Sequence, residues 1–191
     1  MVQARAARYV ALLKGINVGK AHRVPMAALR SPLEGLGYAS VRTLLNSGNA
    51  VFTASPASDH GARIRAALGA RLGVDVAVVV KDQAEMEAIA AECPIRAWNE
   101  DPSRLLVAFT AEAGALAGLA PLEELVTPPE RFLLGRHAAY LGCADGILAC
   151  RAADALLGRA GRSATTRSAA TLAKLMALLG EAEPRKARGS A

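Results

Sequence analysis

The residues best suited to chemistry lie in one short stretch near the N-terminus: Lys14, Gly15, Asn17, Gly19, Lys20 and Arg23. Cations, glycines and an amide in one segment are the ingredients of an anion site. Glycine lets backbone N–H groups approach a ligand closely, and Lys and Arg supply charged hydrogen-bond donors. The spacing is neither the phosphate loop of nucleoside triphosphatases, which needs four residues between its first glycine and Gly-Lys-Ser/Thr, nor the GxGxxG of dinucleotide sites. A second cluster, Asn46-Ser47-Gly48-Asn49, adds donors on Ser47 and Asn49 around Gly48.

The rest of the chain carries less. No Gly-x-Ser-x-Gly frames Ser47, so a hydrolase elbow is unsupported. The three histidines are isolated, and His22 alone stands beside the basic stretch. Without a carboxylate pair or a metal-ligand cluster, catalysis has no visible carrier, and no cofactor or metal is expected. Cys93, Cys143 and Cys150 are odd in number and loosely spaced, which implies reduced thiols. His137, Cys143 and Cys150 match no zinc pattern, in which pairs sit two to four residues apart.

The elements that must position these residues follow from hydrophobic periodicity. Tyr9–Leu13 is a compact apolar run of strand type, ending at Lys14-Gly15. Val24-Pro25-Met26 opens a helix with Pro25 in its first turn, and Met26, Leu29, Leu33 and Leu36 recur at helical spacing before Gly37. Val41–Leu45 and Ala50–Thr53 read as a hairpin turning at Asn46–Asn49, residues that tolerate positive φ. A helix over Asp59–Leu72 and a buried strand over Val74–Val80 complete a βαββαβ order. Asp82 and Glu85 form a capping-box pattern ahead of a helix over 83–92.

The second half repeats this order more loosely. Strands are expected at Leu105–Thr110, Arg131–Leu134 and Ala138–Leu141. Helices are expected at Leu116–Leu125, Ile147–Leu157 and Ala169–Leu179, with Ser163–Arg167 a short strand or loop. The fold class is therefore α+β: a tandem pair of ferredoxin-like (βαββαβ) halves, antiparallel sheets with helices on one face. Residues 1–82 form the first half, 83–102 a connecting helix and linker, 103–180 the second half and 181–191 a polar tail. A right-handed crossover makes the first two strands parallel, with the third antiparallel between them. The end of strand 1, the hairpin turn and the start of helix 1 then meet at one sheet edge. Ligand-binding candidates at that edge are Lys14, Gly15, Asn17, Gly19, Lys20, Arg23, Ser47, Gly48 and Asn49, beside a helix N-terminus that favours anions.

Charge points the same way. The net charge is +6, with residues 1–58 carrying seven Lys/Arg against one acid, residues 59–134 seven against twelve, and residues 135–191 nine against four. Basic ends around an acidic middle suggest an anionic partner at one face. No apolar run approaches the ~20 residues that cross a bilayer, and Tyr9–Leu13 is too short for a signal peptide. A cytoplasmic protein with no membrane partner is the expectation.

Tyr9–Gly19, then Val24-Pro25-Met26 with Leu29, then Ser47-Gly48-Asn49-Ala50-Val51-Phe52 resemble the bacterial family called domain of unknown function 1697. The resemblance extends through Leu72–Val76, Leu106–Phe109, Tyr140-Leu141 with Asp145-Gly146, and Thr166-Arg167 before Leu172. It implies two ferredoxin-like halves and no settled activity. Two departures matter: Lys20 stands where the family has a second glycine after Gly19, and Ser168-Ala169 where it tends to carry Asn-Trp after the late arginine. The function expected is binding of a small anionic ligand, phosphate- or carboxylate-bearing and nucleotide-like in one version. The alternatives are an enzyme acting on such a substrate in the same pocket and, ranked below these, a nucleic-acid binder using the basic ends. RNA recognition motifs share the strand order and stack bases on central-strand aromatics, for which this chain offers Tyr9 and Phe52.

Overall fold

A computed structural model describes residues 6–16, 24–56 and 59–181. The first half runs β1 (Ala7–Leu13), α1 (Met26–Gly35), β2 (Ala39–Leu44), β3 (Asn49–Ala54), α2 (His60–Leu72) and β4 (Val78–Asp82). Then come α3 (Gln83–Glu92) and a short α4 (Ile95–Trp98). The second half runs β5 (Leu105–Thr110), α5 (Ala113–Ala117), a 3₁₀ helix (Ala120–Leu125), β6 (Arg131–Leu134), β7 (Ala139–Gly142), α6 (Arg151–Leu157), β8 (Ala164–Ser168) and α7 (Ala169–Gly180). Each half forms a four-stranded sheet, in the orders β2-β3-β1-β4 and β6-β7-β5-β8. In the first, β3 lies antiparallel between β1 and β2, as the sequence predicts.

Alternation along the two central strands builds the layers. Tyr9, Ala11 and Leu13 pack under Leu29 and Leu33 of α1 and Ile64 and Leu68 of α2. Val10 and Leu12, on the opposite face, share a core with Met86 and Ile89 of α3, Leu172 and Leu175 of α7, and Leu105, Val107 and Phe109 of β5. Leu106 and Ala108 turn outward to Leu116, Leu119, Leu122 and the Ala152–Leu156 face of α6. Each half's own crossover helices thus cover one face of its sheet, and α3 and α7 fill the layer between the two sheets. Helix α7 is tied to the first half: Arg8 of β1 donates to the carbonyl oxygens of Leu178, Leu179 and Glu181, where a cation meets the negative end of the helix.

Departures from the sequence reading have local causes. The strand expected over Val74–Val80 starts only at Val78, because its partner β1 ends at Leu13, opposite Val78. Val74 and Val76 are buried but lie ahead of the ladder. The helix expected over Leu116–Leu125 divides into α5 and the 3₁₀ turn, with Pro121 near the start of the latter. Helix α6 begins four residues later than Ile147, at Arg151, capped by Cys150 Sγ accepting from the Ala153 N–H at 3.3 Å. Pro25 is the N-cap of α1 rather than a first-turn residue, with ψ of 134°. Asp82 and Glu85 form the reciprocal capping box.

Candidate functional site

The described part of the expected edge is built by the end of β1 and the β2–β3 turn. The Leu13 N–H donates to the Gly48 carbonyl at 2.8 Å, drawing the turn onto the strand end. Gly48 is required there twice over: its φ is +75°, and a Cβ would meet Ile16 Cδ1 at 2.6 Å. Gly15 also has positive φ, at +68°, in open space. Asn17, Gly19, Lys20 and Arg23, with His22, lie outside the described residues.

Asn49 is fully buried and its amide is committed within the protein. Its Nδ2 donates to the Leu44 carbonyl and to Ser47 Oγ, each at 2.9 Å. Its Oδ1 accepts from Arg167 Nε at 2.5 Å. Asn49 therefore holds the turn together rather than presenting free donors, and Ser47 serves it as an acceptor.

Arg167 is the residue that sequence reasoning left aside, and it enters the edge from the other half. On β8 it sits opposite Val107 and shares the inter-sheet face with Thr165. It is 7% exposed. Besides Asn49, its guanidinium donates to Thr165 Oγ1 (2.9 Å), the Thr166 carbonyl (2.7 Å), the Leu13 carbonyl (2.8 Å) and the Gly48 carbonyl (3.2 Å). Those bonds use all five donors of the side chain, and none of the acceptors is a carboxylate. Burial pulls its pKa down to about 10, so it stays cationic at neutral pH. The signal in the sequence was its position: an inward-facing cation in Ala-Thr-Thr-Arg-Ser, directly before the apolar α7.

Lys14 ties the same edge to the segment before β8. Its ammonium donates to the carbonyls of Gly161 (2.7 Å) and Arg162 (2.6 Å). Burial, and then the nearby Arg162 charge, hold its pKa below the usual lysine value. Two cations, one buried and one half-buried, thus converge where β1 ends.

The profile of the family described as "Protein of unknown function (DUF1697)" matches residues 6–140. The chain belongs to this family. No curated protein matches the sequence. Among solved structures, this DUF1697 chain is similar to the conserved bacterial protein SP0830 from Streptococcus pneumoniae, with a TM-score of 0.75 and 26% identity over 92% of this chain and 99% of that one. A tandem pair of ferredoxin-like halves is therefore the architecture of the DUF1697 chain as well as its sequence expectation. Among the described residues no helix is long and apolar enough to cross a membrane.

Tyr9 and Phe52, the residues expected to offer a base-stacking platform, lie on the helix-covered face. They stack on each other at 5.5 Å, and Phe52 stacks on Tyr38 at 4.5 Å. Phe52 is fully buried. The open sheet face of an RNA recognition motif corresponds here to the layer filled by α3, α7 and the second sheet.

Proposed function

We propose that the edge where β1 ends binds a small anionic molecule bearing a phosphate or carboxylate. The observation that carries this reading is the buried Arg167 cation, bonded only to neutral oxygens and placed against Leu13, Gly48 and Asn49. A charge with no carboxylate partner among the described residues leaves a positive field in a low-dielectric setting, where electrostatic effects are large. Lys14 adds to that field, and the sequence continues from it into Gly15, Asn17, Gly19, Lys20 and Arg23. In this division of labour, Arg167 and Asn49 hold the frame and bias the field, and Lys20 and Arg23 make the direct charged contacts. A thermal-shift screen over metabolite phosphates and carboxylates tests the reading, because a ligand that binds the folded state raises its melting temperature. A shift shared by several phosphate compounds and absent with their neutral analogues is expected. Equal shifts with neutral analogues would remove the anion from the account.

A further inference from the structure

The two halves are equivalent at the level of strand register. Val10 of β1 faces Lys81 of β4, and Val107 of β5 faces Arg167 of β8. Each cation is the penultimate residue of its strand, followed by the N-cap of the next helix, Asp82 or Ser168. Each is buried, Lys81 at 8% and Arg167 at 7% exposure, and each shares the inter-sheet face of its strand. Leu13 lies three residues beyond Val10, and Thr110 three beyond Val107. Arg167 therefore reaches to the end of β1 and the β2–β3 turn, and Lys81 occupies the corresponding place toward the end of β5 and the β6–β7 turn.

The two places are filled differently. The Arg167 guanidinium is saturated by five oxygens of the protein. Lys81 is shorter, and among the described residues its ammonium has one hydrogen bond, to Glu85 Oε1 at 2.9 Å, leaving the remainder of its three donors over. Beside it lies a cavity of about 120 Å³ lined by Lys81, Glu85, Thr110, Arg136 and His137, among others. That is room for several waters, enough for a single oxyanion and smaller than the roughly 300–1,000 Å³ of ordinary small-molecule pockets. Both Glu85 oxygens are engaged, one by Lys81 and one by the Asp82 N–H at 2.9 Å. The turn's backbone N–H groups at Arg136 and His137 are taken by the Glu92 carboxylate, at 2.6 and 3.1 Å. The side chains of Lys81, Arg136 and His137 are what remains to meet a ligand.

We infer that the second half carries its own small-oxyanion site, of phosphate size, between Lys81 and the Arg136-His137 turn. It is separate from the edge at Lys14 and does not depend on that edge binding anything. Amide NMR of the full chain, titrated with inorganic phosphate against chloride at matched ionic strength, reads both places at once. Thr110 and His137 report the second-half cavity, and Leu13 and Gly48 report the first-half edge. Saturable movement of Thr110 and His137 is expected, lost in Lys81→Met and strongly weakened in Arg136→Glu, with the Leu13 and Gly48 response unchanged. If Lys81→Met does not fold, Arg136→Glu decides alone, since Arg136 is exposed. No saturable movement in the unaltered chain, or movement undiminished in the folded variants, overturns the site. Failure at Leu13 and Gly48 alone counts against the first-half reading and leaves this one standing.

Discussion

Arg167 Nε and Asn49 Oδ1 stand 2.5 Å apart across the junction of the two halves, and both residues are buried. This bond makes the β2–β3 turn, the end of β1 and the start of α7 one structural unit. Lysine cannot reproduce a planar fork that spans several acceptors. Arg167→Lys is therefore expected to cost about 2 kcal/mol, in line with the loss of one charged hydrogen bond. Asn49→Ala is expected to cost a similar amount, and the pair to be coupled by more than about 0.5 kcal/mol in a double-mutant cycle. Chemical denaturation measures all three quantities. Strict additivity would mean that the bond contributes nothing to stability.

Two glycines near Lys14 separate space from conformation. A Cβ on Gly161 would meet the Leu156 carbonyl oxygen at 1.8 Å, and backbone cannot move aside cheaply. Gly161→Ala should destabilise by roughly 3 kcal/mol or prevent folding, at the upper end of overpacking costs. Gly15 has positive φ but open surroundings, so Gly15→Ala should cost only about 1–2 kcal/mol. Similar melting temperatures for the two variants would contradict this.

His60 supplies a pH dependence. It is 4% exposed, packed among Tyr9, Tyr38 and Phe52, with Nδ1 at 2.8 Å from the Tyr38 hydroxyl. Among the described residues its Nε2 makes no hydrogen bond of ordinary geometry. Burial, and then the Arg63 charge, hold its pKa below the usual histidine value, against a weaker opposing pull from the Ser55 backbone and Asp59. The unfolded chain then binds the proton more readily, so stability rises with pH across this window. It should fall as pH drops through about 6.5, the unfolded value. His60→Gln should flatten that part of the curve. An unchanged slope in the variant would assign the dependence to other groups.

Binding to single-stranded RNA is expected to be weak. The two aromatics suited to stacking are inside the core, and base stacking is worth about 1–3 kcal/mol per base. An anisotropy titration at about 150 mM salt should give no sub-micromolar affinity, tighter than typical non-specific binding. A sub-micromolar constant would promote the nucleic-acid reading above the small-ligand one.

Much of the fold was legible because alternation and capping are local. Tyr9–Leu13 reads as a strand from its composition, and Asp82-x-x-Glu85 announces the start of α3. The boundaries that shifted were set by partners: the segment 74–76 has strand composition, but β1 has ended before it can pair, the last bond running from the Lys14 N–H to the Ala77 carbonyl. The candidate edge was legible in outline, since the βαββαβ order alone brings Leu13 and Gly48 together. The commitment of Asn49 was not legible, because its partner is Arg167, 118 positions away. No local rule links an amide in a turn to an arginine in the other half. The layer shared by α3 and α7 was hidden for the same reason: an apolar helix shows that it is buried, not which sheets enclose it.

The central claim is that the basic segment at the end of β1 binds an anion, and calorimetric titration with inorganic phosphate tests it most directly. It should be run at matched ionic strength in a chain carrying Arg136→Glu, so that the second-half cavity contributes little at the concentrations used. Saturable binding is expected, and Lys20→Glu with Arg23→Glu should abolish it, since each charged hydrogen bond is worth roughly 1.5–3 kcal/mol. Folding stability should change by less than about 0.5 kcal/mol if these are surface charges. Phosphate binding of undiminished affinity after the double charge reversal would contradict the claim and leave Lys14–Arg23 a solvated connection.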